Sequence, residues 1–106
     1  MTTTCAREGD DLVVSVSGDL DAATWEEPVD ALAAVLTGHP DVRVVVDLGG
    51  VTFLDSSGIG SLVRMRALWH DADVAFVLRR VGPKVSRLLA IAGLGGVFDV
   101  LPVSAP

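Results

Sequence analysis

Apolar runs of strand length alternate along this chain with segments whose apolar residues recur at helical spacing. The runs at 12–17, 42–48 and 74–78 are rich in Val and are short enough to be strands. The segments 29–36 and 85–92 carry apolar residues at i, i+3, i+4 and i+7, the pattern of one buried helix face. Because parallel neighbouring strands need crossover helices, this alternation predicts an α/β domain with a mostly parallel, mixed sheet of four or five strands and about three helices packed on it.

Turn and capping residues predict where the elements of the first half begin and end. A strand around 3–7 is predicted to pair with the next one through the polar turn 8–10, and Gly18–Asp21 is predicted to break that second strand. Thr24 and Glu27 have the spacing of a capping box, so the first helix is predicted to begin near Thr24. Two helix-breaking residues are predicted to end it: Gly38 and Pro40.

Similar signals divide the second half. Gly49-Gly50 is predicted to turn the chain after the strand at 42–48, and a second helix is predicted from Ser56 to about His70. Pro83 suits the first turn of a third helix, and Gly93 suits the left-handed residue of a Schellman cap. A short strand is predicted at 97–101. One domain then covers residues 1–106, with its core at about 3–101 and a loose tail at 102–106.

The charge of the chain argues against a nucleic-acid binder. The formal net charge is -6, and the eight basic residues are scattered along 106 residues, whereas phosphate contacts need a basic stripe. Arg79, Arg80, Lys84 and Arg87 form a small basic cluster, which we expect to be a solvated helix face, with contact to an acidic partner as the alternative. A negative chain favours partners with basic surfaces.

Composition also indicates in which cellular compartment the protein is expected. A single cysteine, Cys5, allows no intramolecular disulfide. The start lacks a secretory signal, and the apolar runs are too short to cross a bilayer. We therefore expect a cytoplasmic protein that does not contact the membrane. Because no apolar surface stripe is obvious in the sequence, we also expect a monomer.

The segment Asp55-Ser56-Ser57-Gly58 offers a place for chemistry, because Ser56 stands at the predicted start of a helix after a strand. The first amides of a helix lack intrahelical partners and favour a negative group, so a phosphate on Ser56 would be compatible with the fold. Small residues at Gly58 and Gly60 would leave the helix start open to another protein. Equally, Asp55 or Ser56 can be a plain N-cap, and the glycines can serve helix-to-sheet packing.

Enzyme chemistry is not expected at this serine. A nucleophilic serine needs a neighbouring base, and the two histidines are His39, in a turn, and His70, at the far end of the predicted helix. At about 1.5 Å rise per residue, His70 lies roughly 20 Å from Ser56. One cysteine and two distant histidines do not form a zinc pattern, so no metal or other cofactor is predicted.

Taken together, several blocks of the sequence resemble the STAS domain family and, within it, the bacterial anti-sigma-factor antagonists. The resemblance covers nearly the whole chain in order. The matching blocks are Ser17–Asp21 with Thr24, Val44–Leu48, Val51–Gly60, Val81–Val85, Leu88-Leu89 and Ala92–Leu94.

The resemblance implies a binding module rather than an enzyme. In this family the unphosphorylated antagonist binds an anti-sigma factor that is also a serine kinase, and so releases a sigma factor. The kinase phosphorylates the first serine of the motif, which matches Ser56, and a metal-dependent serine phosphatase restores it. The implied partner-binding residues are Asp19, Asp21, Thr24, Asp55, Ser57, Gly58, Ile59 and Gly60.

Two departures from the family accompany the match. Asp19 stands where the family often has Glu, and the family's C-terminal helix is expected to be missing or shortened. Two other functions stay open at this point. One is a STAS scaffold or transporter-regulating module that is never phosphorylated, and the other is a small enzyme.

Overall fold

The computed structural model describes residues 1–36, 42–68 and 75–101. Within them the chain forms five strands and three helices in one sheet with the order β1-β2-β3-β4-β5. β1 and β2 are antiparallel, and every later pair is parallel. The predicted α/β fold is therefore confirmed. The elements are β1 Thr2–Glu8, β2 Asp11–Leu20, α1 Glu26–Leu36, β3 Arg43–Leu54, α2 Ser56–Ala67, β4 Phe76–Arg79, α3 Pro83–Ile91 and β5 Asp99–Val100.

The sequential strand order explains why the helices share one face of the sheet. Each parallel pair is joined by a crossover, and crossovers of one hand in a sheet that grows in one direction all fall on the same side. Side chains from all three helices join alternate strand residues in a single core. The main contributors are inward-facing residues of the strands and of the helices: Leu12, Val14, Val16, Val44, Val46, Leu78, Leu32, Leu62, Met65, Val85 and Leu89.

The opposite face of the sheet carries a second, smaller apolar row. Val13, Val45 and Val77 lie side by side in the register and are buried.

Helical spacing also predicts Ala33 and Ala92 on buried faces, but both are exposed. Small side chains at the margin of a helix face contribute little apolar area, so their exposure costs little.

The first hairpin forms as predicted. β1 pairs with β2 along its full length, from Thr2 opposite Ser17 to Glu8 opposite Asp11. Gly9 has a positive φ of 60° in the connecting turn, a conformation that glycine adopts without a steric penalty. Cys5 lies on β1 and packs against the core, and its burial raises the pKa of the thiol.

Two predicted strand ends are wrong, because the glycines lie inside long strands. β2 continues through Gly18 to Leu20, and β3 continues through Gly49 and Gly50 to Leu54. The β2–β3 register shifts beside these positions, and Gly18 has a φ of +91°. A Cβ on Gly50 would lie 2.7 Å from the Cβ of Ser17, so this glycine permits close strand approach rather than a turn.

The capping prediction for α1 is also wrong. α1 begins at Glu26, and the Thr24 hydroxyl is engaged in the preceding turn rather than with the amide of Glu27.

At the other end of the chain, the Schellman cap of α3 is confirmed. The amide of Leu94 donates to the carbonyl of Leu89 at 2.8 Å, and Gly93 has a φ of +76°.

Several predicted boundaries lie outside the described residues. These are the end of α1 at Gly38 and Pro40, the end of the second helix at His70, the start of the strand at Val74 and the tail at 102–106. The last strand is shorter than the predicted 97–101, because regular pairing is confined to Asp99 and Val100.

Half of the predicted basic cluster is used inside the fold. The Asp47 carboxylate, 1% exposed, accepts hydrogen bonds from Arg79 and Arg80, each with an Nε–oxygen distance of 2.9 Å. Burial alone would raise the pKa of Asp47, but the hydrogen bonds from Arg80, from the Gly49 amide and from Arg79 outweigh it and lower the pKa. These two arginines therefore neutralise a buried acid and do not form a free helix face.

Candidate functional site at the carboxyl edge of the sheet

Two loops meet where the parallel strands β2 and β3 end. Leu20 and Leu54, the last residues of these strands, are partners in the register. Asp21 and Asp55 follow them directly, so the two acidic residues begin neighbouring loops. The carboxyl edge of a parallel sheet is where side chains from successive strands converge on a ligand or partner.

The first loop is held by its own side chains. The Thr24 hydroxyl donates to the carbonyl of Asp19 at 2.7 Å and accepts from the amide of Asp21 at 3.0 Å. The Asp21 carboxylate accepts from the amide of Ala23 at 2.9 Å. The carboxylate of Asp19, near the end of β2, accepts from the Thr52 hydroxyl of β3 at 2.9 Å. Thr24 thus ties the loop that carries Asp21 to the end of β2 that carries Asp19.

The second loop contains the N-cap of α2, and the structure distinguishes the two capping candidates. The Asp55 carboxylate accepts from the amides of Ser57 at 2.9 Å and Gly58 at 3.1 Å, so Asp55 is the N-cap. Ser56 is exposed and is not the cap. Its hydroxyl is therefore presented at the surface beside a carboxylate that already occupies the amides of Ser57 and Gly58.

Two contacts fix α2 against the first loop. A Cβ on Gly58 would lie 2.5 Å from the carbonyl oxygen of Leu20, so a glycine is needed where the helix passes under the end of β2. The buried hydroxyl of Ser61 donates to the carbonyl of Trp25 at 2.7 Å. The position of Ser56 is consequently coupled to the end of β2, which carries Asp19, and to the loop that carries Asp21.

The predicted partner-binding residues divide into two groups in the structure. Ile59 is 7% exposed and belongs to the core, and Gly58 is buried under Leu20. These two act through packing, so a direct partner contact by the Ile59 side chain does not fit its position. The other partner-binding residues, like the phosphoacceptor Ser56, are exposed or half-buried: Asp19, Asp21, Thr24, Asp55, Ser57 and Gly60.

Two features of this surface are missing from the sequence-based prediction. Phe53 is 52% exposed and is the register partner of Asp19. Phe53 and Leu54 are adjacent apolar residues, so no alternation in the sequence separates the outward Phe53 from the buried Leu54. The guanidinium of Arg64 lies 4.7 Å from the ring centroid of Trp25, a contact between distant residues that no local pattern indicates.

The described residues hold neither a cluster of metal-ligating side chains nor a helix suited to crossing a membrane. No three of their His, Cys, Asp or Glu side chains are grouped as a metal site would require. Among the same residues, none of the helices is long and apolar enough to span a bilayer. His39 and His70 lie outside the described residues, so the turn at His39 and the distance of His70 from Ser56 stay predictions.

Comparisons with known proteins agree with this architecture. The sequence profile of the family described as "Mlab, STAS domain" matches residues 3–102. A STAS-domain containing protein of Pseudomonas aeruginosa is 28% identical over 100 residues, which are 94% of this chain and 97% of that protein. The solved structure of an anti-sigma factor antagonist from Mycobacterium paratuberculosis is 30% identical, with a TM-score of 0.82, and the match covers 96% of this chain and 86% of that one.

A more distant solved structure shares the fold alone. It is the Bacillus cell fate determinant SpoIIAA in the phosphorylated form, 22% identical, with a TM-score of 0.67 and coverage of 95% of this chain and 92% of that one. The match to the family profile over nearly the full length confirms the resemblance seen in the motifs. The chain belongs to the STAS domain family, and its relatives include anti-sigma-factor antagonists.

Proposed function

We propose that this chain is an anti-sigma-factor antagonist whose binding surface is switched by phosphorylation of Ser56. In its unphosphorylated form it binds an anti-sigma factor with serine kinase activity and thereby releases a sigma factor. A serine phosphatase returns the phosphorylated chain to the binding form. The proposal places the protein in the cytoplasm, where sigma factors act, as a monomer.

The observation that carries the proposal is the exposure of Ser56 beside a different capping residue. Because Asp55 caps α2, the Ser56 hydroxyl has no structural duty in the cap and can be modified without loss of the helix start. This geometry supports the proposal that Ser56 is a substrate position and a part of the surface of a binding module.

Electrostatics support a switch that works without refolding. A phosphate adds about -1.5 to -2 charges at neutral pH. On Ser56 it would stand next to Asp55, whose carboxylate already takes the amides of Ser57 and Gly58. It would also add to the charge of Asp19 at the end of β2 and of Asp21 on the neighbouring loop. A partner that fits the unmodified surface would then meet a larger negative charge and lose close contact.

Binding measurements with Ser56 variants test this proposal. We expect Ser56→Ala to bind the cognate anti-sigma factor like the wild-type chain. Ser56→Asp should bind at least about tenfold more weakly, which corresponds to roughly 1.4 kcal/mol. Ser86→Asp is the matched control, because it adds the same charge at an exposed serine on α3, away from Ser56, and it should bind like the wild-type chain. Equal binding by Ser56→Ala and Ser56→Asp would instead favour a STAS scaffold that is never phosphorylated.

A further inference from the structure

A groove runs between α1 and α2 and begins beside the loops described above. Its first part, about 200 Å³, is lined by Trp25, Ser57, Gly60 and Arg64. The second part, about 400 Å³, shares Trp25 and Arg64 and continues along both helices to Leu68. Between Ser57 and Leu68 it is roughly 16 Å long, at about 1.5 Å per residue. The groove begins one residue from Ser56, so it continues the proposed binding surface.

Gly60 leaves open space at one wall of this groove. A glycine inside a helix lowers its stability relative to alanine, and at Gly58 the contact with Leu20 explains it. At Gly60 a Cβ would meet no atom within 4 Å. The packing of the described residues therefore gives no reason for a glycine there, and the residue keeps one wall of the groove open.

The two walls of the groove define the chemistry of an occupant. The apolar surface comes from Trp25, Val29 and Leu68. The α1 wall adds the carboxylates of Glu26 and Asp30, and helix Glu26–Leu36 contains no Lys or Arg that could neutralise them. The α2 wall carries the guanidinium of Arg64, which lies over the Trp25 ring. An occupant that matches both features has an apolar side chain flanked by a lysine or arginine.

We propose that this groove, named here the α1–α2 groove, binds a segment of the anti-sigma factor that inserts an apolar side chain beside Trp25 and places a basic side chain against Glu26 and Asp30. This inference rests on the proposed function. It extends the contact surface from the switch at Ser56 along α2 and assigns part of the partner affinity to residues that phosphorylation does not touch.

Groove variants of the full chain test the proposal, with each ATPase-type anti-sigma factor of the source genome, purified separately, as the probe. Gly60→Leu fills open space in the groove, and the double variant Glu26→Lys, Asp30→Lys reverses its acidic wall. We expect each to weaken binding at least tenfold while thermal unfolding shows an intact fold. The matched controls are Glu27→Lys, which changes the same charge on the same helix outside the groove, and Val63→Leu on the exposed side of α2. Both controls should bind within twofold of the wild-type chain.

The outcomes separate this proposal from the proposed function. If Ser56→Asp abolishes binding while the groove variants bind like the wild-type chain, the groove assignment is wrong and the switch stands. If the groove variants change self-association, measured by sedimentation, but leave anti-sigma binding unchanged, the occupant is a second copy and the proposal is overturned. If the unmodified chain binds none of the probes, both the groove proposal and the proposed function are contradicted.

Discussion

The carbonyl oxygen of Leu20 lies 2.5 Å from the point where a Cβ of Gly58 would stand. This contact joins the end of β2 to the first turn of α2, and both neighbouring loops of the candidate site depend on it. The obstacle is a backbone atom, which cannot move aside as the end of a flexible side chain can. The geometry of the site is therefore built into the core of the fold.

Substitution of Gly58 by alanine should destabilise the protein. The added methyl group forces the helix away from Leu20, and overpacking of this kind costs about 1–3 kcal/mol. Only part of that is offset by the better helix propensity of alanine, up to about 1 kcal/mol. Urea unfolding followed by circular dichroism measures the difference.

The matched control is Gly60→Ala, two residues along the same helix. Nothing lies within 4 Å of its added Cβ, so this variant should be more stable than the wild-type chain by about 0.5–1 kcal/mol. Equal effects of the two substitutions on the free energy of unfolding would contradict the assignment of Gly58 to packing.

Removal of the Ser61 hydroxyl should loosen the first loop. The Ser61→Ala variant leaves the carbonyl of Trp25 without the donor at 2.7 Å, and an unsatisfied buried acceptor costs about 1–3 kcal/mol. Hydrogen exchange should show faster exchange at the amides of Thr24 and Trp25, which bond to the carbonyl of Asp21. Unchanged exchange at both amides would show that the loop is held without Ser61.

The capping assignment predicts opposite behaviour for two adjacent residues. Loss of an N-cap costs about 1 kcal/mol, so Asp55→Ala should lower the free energy of unfolding by that amount. Ser56→Ala removes an exposed side chain that is not the cap and should change it by less than about 0.5 kcal/mol. Chemical denaturation of both variants decides the point, and a larger loss for Ser56→Ala would make Ser56 the cap.

The buried acid Asp47 should make stability depend on pH in the acid range. Its folded-state pKa is lowered below the ordinary value of 3.8, so its stabilising contribution is complete above that value and is lost as pH falls through the folded-state pKa. Asp47→Asn should destabilise the protein by about 1–3 kcal/mol at neutral pH. This loss is smaller than that expected for a fully buried ion pair, because the two arginines stay partly hydrated.

The control for this prediction is Asp11→Asn. Asp11 pairs with Arg43 at 2.8 Å, but both side chains are partly exposed, so the loss should stay below about 1 kcal/mol.

Thermal unfolding between neutral and acid pH should show a reduced acid dependence in Asp47→Asn. A pH profile identical to that of the wild-type chain would contradict the role given to Asp47.

The sequence predicts the architecture well, because apolar spacing alone identifies the parallel sheet and its helices. Local glycine signals mislead at Gly18 and at Gly49-Gly50, where the glycines serve close approach inside long strands. Glycine permits both a turn and a close contact, and only the three-dimensional neighbours, such as Arg80 at Gly49 and Ser17 at Gly50, decide between them.

The sequence also predicts part of the candidate site. The motif places Ser56 at a helix start, but spacing alone leaves the choice of cap open, since Asp and Ser are both good N-caps. The hydrogen bonds of Asp55 make that choice. The exposure of Phe53 and the contact between Trp25 and Arg64 depend on tertiary packing, so no local pattern indicates them.

The most direct test of the central claim is phosphorylation of the full chain by its cognate anti-sigma factor and ATP. Intact-mass measurement with site mapping, followed by a binding assay on the same preparation, reads out both parts of the switch. We predict one phosphate, on Ser56, and loss of binding to the anti-sigma factor. Phosphate confined to Ser57, no phosphate at all, or undiminished binding after modification of Ser56 would contradict the account.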